Sequence, residues 1–152
     1  MINTRYILAI DQGTTSSRAI IYDAQLQHIA TAQQEISLSY PASGWVEQKP
    51  AEIWHSVLTC IRQVLRKAGL NAVDIAAIAI TNQRETTVVW DKDSGEAIAN
   101  AIVWQDRRTT AYCRQLQQQG AEPLISQKTG LRADPYFSAS KINWLLNNVP
   151  GA

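Results

Sequence analysis

The stretch that most restricts this chain is Ile7-Leu8-Ala9-Ile10-Asp11-Gln12-Gly13-Thr14-Thr15-Ser16-Ser17-Arg18-Ala19-Ile20-Ile21-Tyr22-Asp23. Two short, Ile-rich apolar runs flank a small polar turn. Runs of this length, bounded by carboxylates, read as two buried strands rather than a helix. The turn holds one glycine and four hydroxyl residues. Gly13 lets the backbone approach a ligand closely, because it has no Cβ and tolerates positive φ. Successive N–H groups in such a turn form an anion-binding concavity, and Thr14, Thr15, Ser16 and Ser17 surround it with hydroxyls. Asp11, ending the first strand, is a hard oxygen ligand that suits Mg²⁺. Arg18 is a charged clamp for phosphate oxygens. The residues describe a phosphate-and-magnesium hairpin; an ordinary Gly/Thr/Ser hairpin loop has the same local chemistry. It is not a Walker loop, since the spaced Gly-Lys-Ser/Thr is missing.

The rest of the chain reads as a layered α/β protein. Gln27 to Leu38 is a third strand. Tyr40 to Pro50 is a loop, with Trp45 and Val46 expected to pin it to the core. Pro50 suits a helix first turn. Ile53, Val57, Ile61, Val64 and Ala68 then recur at helical spacing up to Gly69. Val73 to Ile80 is almost wholly apolar, which predicts a central strand covered on both faces. Thr86 to Trp90 and Ala97 to Val103 are expected to pair across an Asp91–Gly95 turn. Asp106 is expected near the start of a helix that runs to about Gln119, complementing its dipole. A short helix precedes Gly130, and another begins near Ser138.

A second polar constellation, Thr81-Asn82-Gln83-Arg84-Glu85-Thr86-Thr87, follows the apolar strand directly. Loops at the C-terminal edge of a sheet are where α/β proteins place ligands. By composition alone an Arg84–Glu85 ion pair closing a surface turn is the preferred reading. Trp104 and Tyr136 are each open to two roles, as core packing or as walls of a substrate site.

Composition bounds the remaining classes. With 152 residues, 45% hydrophobic and 18% charged, the chain can bury a core of one domain. A net charge of +1 gives no nucleic-acid or anionic-membrane footprint. Asp11 interrupts the N-terminal apolar run early, so neither a signal peptide nor a membrane span is expected. Cys60 and Cys113 lie in helical stretches and are expected as free thiols of a reducing cytoplasm. His28 and His55 lack metal-ligand spacing.

Asp-Gln-Gly-Thr-Thr-Ser-Ser-Arg resembles the first phosphate loop of the actin–hexokinase superfamily, and within it the opening of the FGGY family of sugar and polyol kinases. Asn82-Gln83-Arg84-Glu85-Thr86 resembles the substrate loop of the FGGY members that phosphorylate glycerol. Gly44-Trp45-Val46-Glu47-Gln48-Lys49-Pro50 is similar to their loop at the same place. The resemblance runs from Tyr6 to about Val149. It implies a ribonuclease-H-like (actin-like ATPase) α/β fold, a mixed sheet flanked by helices. Residues 1–152 would be the N-terminal part of the first kinase domain, incomplete in this chain, with the second domain outside it. It further implies ATP, ADP and Mg²⁺ as cofactors, glycerol as substrate, sn-glycerol 3-phosphate as product, a cytoplasmic location and a homo-oligomeric full-length enzyme. Asp11 would position Mg²⁺ through water. Gly13, Thr14, Thr15 and Ser16 would cradle phosphates, and Arg18 would offset developing charge. Arg84, Glu85, Trp104 and Tyr136 would hold glycerol. The family's general base and adenine pocket would lie in later segments. A kinase for another polyol or sugar, and a non-catalytic actin-like nucleotide-binding module, are the competing readings.

Overall fold

The computed structural model describes residues 5–152. They divide into two compact units. The first takes in the chain up to Ser37 together with Ala51–Gln83, and the second takes in Leu38–Pro50 and Arg84–Ala152.

The first unit is a four-stranded mixed sheet with one helix on it. Strands β1 (Tyr6–Gln12), β2 (Ser16–Tyr22) and β3 (His28–Glu35) form antiparallel pairs, and the sheet contains a fourth strand, Ile75–Asn82, parallel to β1. Strand alternation decides what each face does. Leu8, Ile10, Ala19, Ile21, Ala30 and Ala32 pack against Val57, Cys60 and Val64 of helix α1 (Pro50–Ala68). α1 ends as its sequence predicts. Gly69 adopts φ 66°, its N–H bonds to the Arg66 carbonyl, and Leu70 N–H reaches back to Leu65. This Schellman closure needs a left-handed residue, which glycine supplies without steric cost.

In the second unit, β4 (Glu47–Gln48) pairs with a two-residue strand, Ala101–Ile102. With Ile75–Asn82 numbered β5, the latter is β6. Helices α2 (Thr110–Gln118), α3 (Glu122–Thr129) and α4 (Ser138–Asn148) follow. Gly120 and Gly130 stop α2 and α3 with positive φ, where the sequence places those ends.

Three expectations are corrected. Among the described residues β5 lies at the end of the order β3-β2-β1-β5, with Ile80 72% exposed, and not between two neighbours as expected. An apolar run reports what a strand prefers to touch, not what covers it. The hairpin of Thr86–Trp90 with Ala97–Val103 is reduced to isolated bridges, Thr87 with Ile102 and Trp90 with Ala97. The register slips between them, so no continuous ladder forms. Its turn is as expected, with the Asp91 carboxylate accepting from Ser94 N–H at 2.7 Å and held below the usual carboxylate range by the Ser94 backbone and hydroxyl donors.

Asp106 is the third correction. α2 starts four residues later, and Asp106 is instead buried, 1% exposed, accepting Val46 N–H at 2.6 Å. The Arg108 guanidinium bonds both Asp106 oxygens and Glu47 Oε1, with its own side chain 2% exposed. It sits in the corner between the Trp45 and Trp144 rings, 3.8 and 4.6 Å from their centroids, the two rings standing edge-on to one another at 85°. Trp45 and Val46 therefore do anchor their loop, through a buried ion cluster that the loop's own residues do not announce. A planar five-donor cation fits this slot and an ammonium does not. Arg108→Lys should lower unfolding stability by about 1–2 kcal/mol, from lost stacking and one lost charged hydrogen bond. Chemical denaturation measures it; an unchanged midpoint would show that the aromatic corner adds nothing.

Candidate functional site

The first unit carries the anion-type constellation. Asp11 and Arg18 are cross-strand partners in the β1–β2 register. Leu8 and Ile10 face α1, so Asp11 projects from the opposite face, and by the same alternation Arg18 does so too. Arg18 Nε donates to Gln33 Oε1 at 3.1 Å, and Gln33 Nε2 donates to Ser16 Oγ at 3.1 Å. This chain orients Arg18 and Ser16 on one face. The Asp11 carboxylate forms no hydrogen bond or ion pair among the described residues.

The turn itself is tight. Gly13 N–H donates to the Ser16 carbonyl at 2.9 Å, and Gln12 Nε2 to the Gly13 carbonyl at 2.8 Å. Gly13 is not at positive φ; a Cβ there would lie 3.1 Å from the Ser16 carbonyl oxygen, so the turn would have to give by a few tenths of an ångström to admit one. Thr14 is half-buried and Thr15 exposed beside it. Ser17 belongs elsewhere. It is fully buried and its Oγ lies 2.8 Å from Ser56 Oγ on α1, because the strand alternates there. Gln83 closes the end of the sheet, donating to Gln12 Oε1 at 3.1 Å.

A lone carboxylate with neighbouring hydroxyls and N–H groups fits a hard, octahedral Mg²⁺ that keeps waters and takes phosphate oxygens. It does not fit an all-protein metal cage, and no group of three or more His, Cys, Asp or Glu that could hold a metal occurs among the described residues.

The second unit gathers Glu85, Trp104 and Tyr136. Glu85 Oε2 accepts Ser138 Oγ–H at 2.9 Å and Ser138 N–H at 3.1 Å. Phe137 precedes α4 without a side-chain cap, so the Glu85 carboxylate caps that helix from a distant segment and meets the positive end of its dipole. Oε1 accepts none of these bonds, which leaves it as the acceptor edge for a hydroxyl donor. The Glu85 backbone is left-handed at φ 65°, a conformation that costs a non-glycine residue about 1–2 kcal/mol. Its carbonyl accepts from Lys141 Nζ at 3.1 Å and Thr87 Oγ1 at 3.3 Å. The Tyr136 ring stands edge-on to Trp104, with centroids 6.0 Å apart, and edge-on to Phe137 at 5.2 Å. Both Trp104 and Tyr136 are half-buried, which leaves part of each aromatic surface open.

Arg84 is exposed and makes no ion pair with Glu85. The surface ion pair that composition allowed is therefore not formed. Sequence reasoning missed Gln33, Ser138 and Lys141. For Lys141 a signal existed, since it lies four residues before buried Leu145 and so shares its face of α4.

Residues 6–152 match the N-terminal domain of the FGGY family of carbohydrate kinases. A glycerol kinase of Sinorhizobium fredii is 60% identical over 147 residues, covering 97% of this chain and 30% of that protein. The crystal structure of Plasmodium falciparum glycerol kinase with ADP superposes with a TM-score of 0.89 at 35% identity, covering 97% of this chain and 29% of that one. Gluconate kinase from Lactobacillus acidophilus gives 0.87 at 26% identity, over 95% and 29%. The chain thus spans about 30% of the length of the curated relatives it matches. Among the described residues no helix is long and apolar enough to cross a membrane.

Proposed function

The chain belongs to the FGGY family of carbohydrate kinases, with the α/β, actin-like ATPase fold of that family, and on that footing we propose that it is the N-terminal part of a longer kinase that phosphorylates glycerol. The reaction converts ATP and glycerol to ADP and sn-glycerol 3-phosphate. The observation that carries the glycerol assignment is the Glu85 carboxylate, pinned through one oxygen beside the half-buried Tyr136 and Trp104 rings. A small polyol needs such a site: a fixed acceptor for its hydroxyl hydrogens, a donor for its oxygens, and an apolar wall for its carbons. Arg84 is the donor, Glu85 the acceptor, and Trp104 and Tyr136 the wall, with the Tyr136 hydroxyl as a further partner. A site built to bond each hydroxyl rejects analogues lacking one, because its own polar groups would be left unpaired.

Phosphoryl transfer asks mostly for alignment and charge neutralisation. The N–H groups of the Gly13 turn and the hydroxyls of Thr14, Thr15 and Ser16 hold phosphate oxygens. Arg18, braced by Gln33, offsets charge on the transferring group. Asp11 would hold Mg²⁺ through water, and the ion would supply charge neutralisation to the phosphates.

The test is acceptor-dependent ADP release by the kinase that carries this sequence at its N-terminus, with glycerol, gluconate and xylulose offered in parallel. Glycerol should give the highest kcat/KM. A higher value for either sugar acceptor would overturn the glycerol assignment. Nucleotide binding without turnover on any acceptor would favour the non-catalytic actin-like reading.

A further inference from the structure

We propose that Lys141 is a positioning residue for the polyol site: its ammonium ties together the two main-chain segments that carry Glu85 and Tyr136. This rests on the glycerol reading above. Lys141 is the largest wholly enclosed side chain of the second unit, 0% exposed. Its Nζ donates to the carbonyl oxygens of both Glu85 and Tyr136. These carbonyls belong to segments 51 positions apart in sequence number, as read from residues 85 and 136, and no strand ladder joins them. One buried cation therefore sets how far apart the acceptor carboxylate and the aromatic wall stand.

The cost of this arrangement argues that it is for something. Burial pushes the Lys141 ammonium below its ordinary pKa, against the opposing charges of Glu85, Asp106 and Asp134. Enclosing an ammonium is expensive unless it is paired and fully bonded. An apolar residue at the same position of α4, four before Leu145, would fill the helix face at no such cost. A hydrophobic side chain could not hold Glu85 at φ 65°, nor satisfy the Tyr136 carbonyl. Ser138 fixes the other end of Glu85. Backbone and side chain of the acceptor are thus each held by a residue of α4, three positions apart.

The consequence concerns which hydroxyl is presented. The two primary hydroxyls of glycerol are enantiotopic, so only a rigid arrangement of three or more contacts can tell them apart. Release of the Glu85 and Tyr136 main chains blurs that arrangement. A misplacement of about 1 Å can cost about 10²-fold in rate.

The experiment uses the full-length kinase with Lys141→Met, which keeps the length but loses the charge. Lys141→Gln retains one donor group as a milder second variant. Arg108→Lys is the control, since it weakens the same unit without touching Glu85 or Tyr136. Steady-state kinetics for glycerol and ATP are paired with the enantiomer ratio of the glycerol phosphate formed. Lys141→Met should raise the glycerol KM about ten- to a hundredfold, leave the ATP KM within about twofold, and erode the enantiomer ratio. Lys141→Gln should fall between it and wild type, and the control should keep both KM and ratio. Unchanged glycerol KM and enantiomer ratio in a folded Lys141→Met would overturn the proposal. So would the same changes in the Arg108→Lys control, or a failure of both Lys141 variants to accumulate as folded protein, since either makes the role one of stability. A wild-type enzyme inactive on glycerol would sink the glycerol reading itself, a different result from active wild type with indifferent variants.

Discussion

Arg84→Ala in the full-length kinase should raise the glycerol KM by about 30- to 900-fold, the equivalent of about 2–4 kcal/mol, while the ATP KM changes little. Arg84 follows β5 directly and is exposed. It makes no ion pair with Glu85, so it is not committed to closing its own turn. Its guanidinium can address two adjacent hydroxyl oxygens at once, which an alanine cannot replace. The folding cost should be small, because the side chain contributes no buried contact. Thermal melting of the variant checks that point, and the kinetic split checks the assignment. Equal losses for ATP and glycerol would place Arg84 outside the polyol site.

Asp11→Asn should lower kcat by about 10²-fold or more, the scale on which single preorganised electrostatic contacts act in catalysis, and leave the melting temperature nearly unchanged. The reasoning is again structural. The Asp11 carboxylate projects from the sheet face opposite α1, and no hydrogen bond or ion pair among the described residues depends on it. Its cross-strand partner Arg18 is held by Gln33 instead. A carboxamide keeps shape and strand pairing but loses the charge that organises Mg²⁺. Kinetics over a Mg²⁺ titration, alongside melts, decide it. A kcat equal to wild type at limiting Mg²⁺ would remove Asp11 from the mechanism.

Local order was legible in the residues. The β1–β2 hairpin, the long α1 and the glycine stops at Gly69, Gly120 and Gly130 all follow from short-range rules: side-chain period, the φ that only glycine adopts cheaply, and proline at a helix start. The tight turn joining these strands was legible too, with Gly13 in it. Gly13 is not held at positive φ, and what a side chain there would meet is the Ser16 carbonyl at 3.1 Å.

Burial and partnership were not legible, and Ser17 shows why within the hairpin itself. Its hydroxyl is identical in kind to that of Ser16, yet one strand position turns it into the core to meet Ser56. β5 is apolar enough to be central and lies at the end of the sheet among the described residues, since the neighbour that covers a strand is not specified by the strand's own composition. Asp106 looked like a helix-dipole partner and is the hub of an ion cluster with Val46, Glu47 and Arg108, around 60 positions away for the first two. Lys141 carries the same lesson to the candidate site. In sequence it is one charged residue of a helix, where charge ordinarily means solvent. Only the tertiary structure brings the carbonyls of Glu85 and Tyr136 to its ammonium. The sequence by itself determined which backbone shapes were available and which chemical groups were present. The tertiary structure decided which of those groups lose water and must find each other, because desolvation depends on everything that packs around a group and not on its neighbours along the chain.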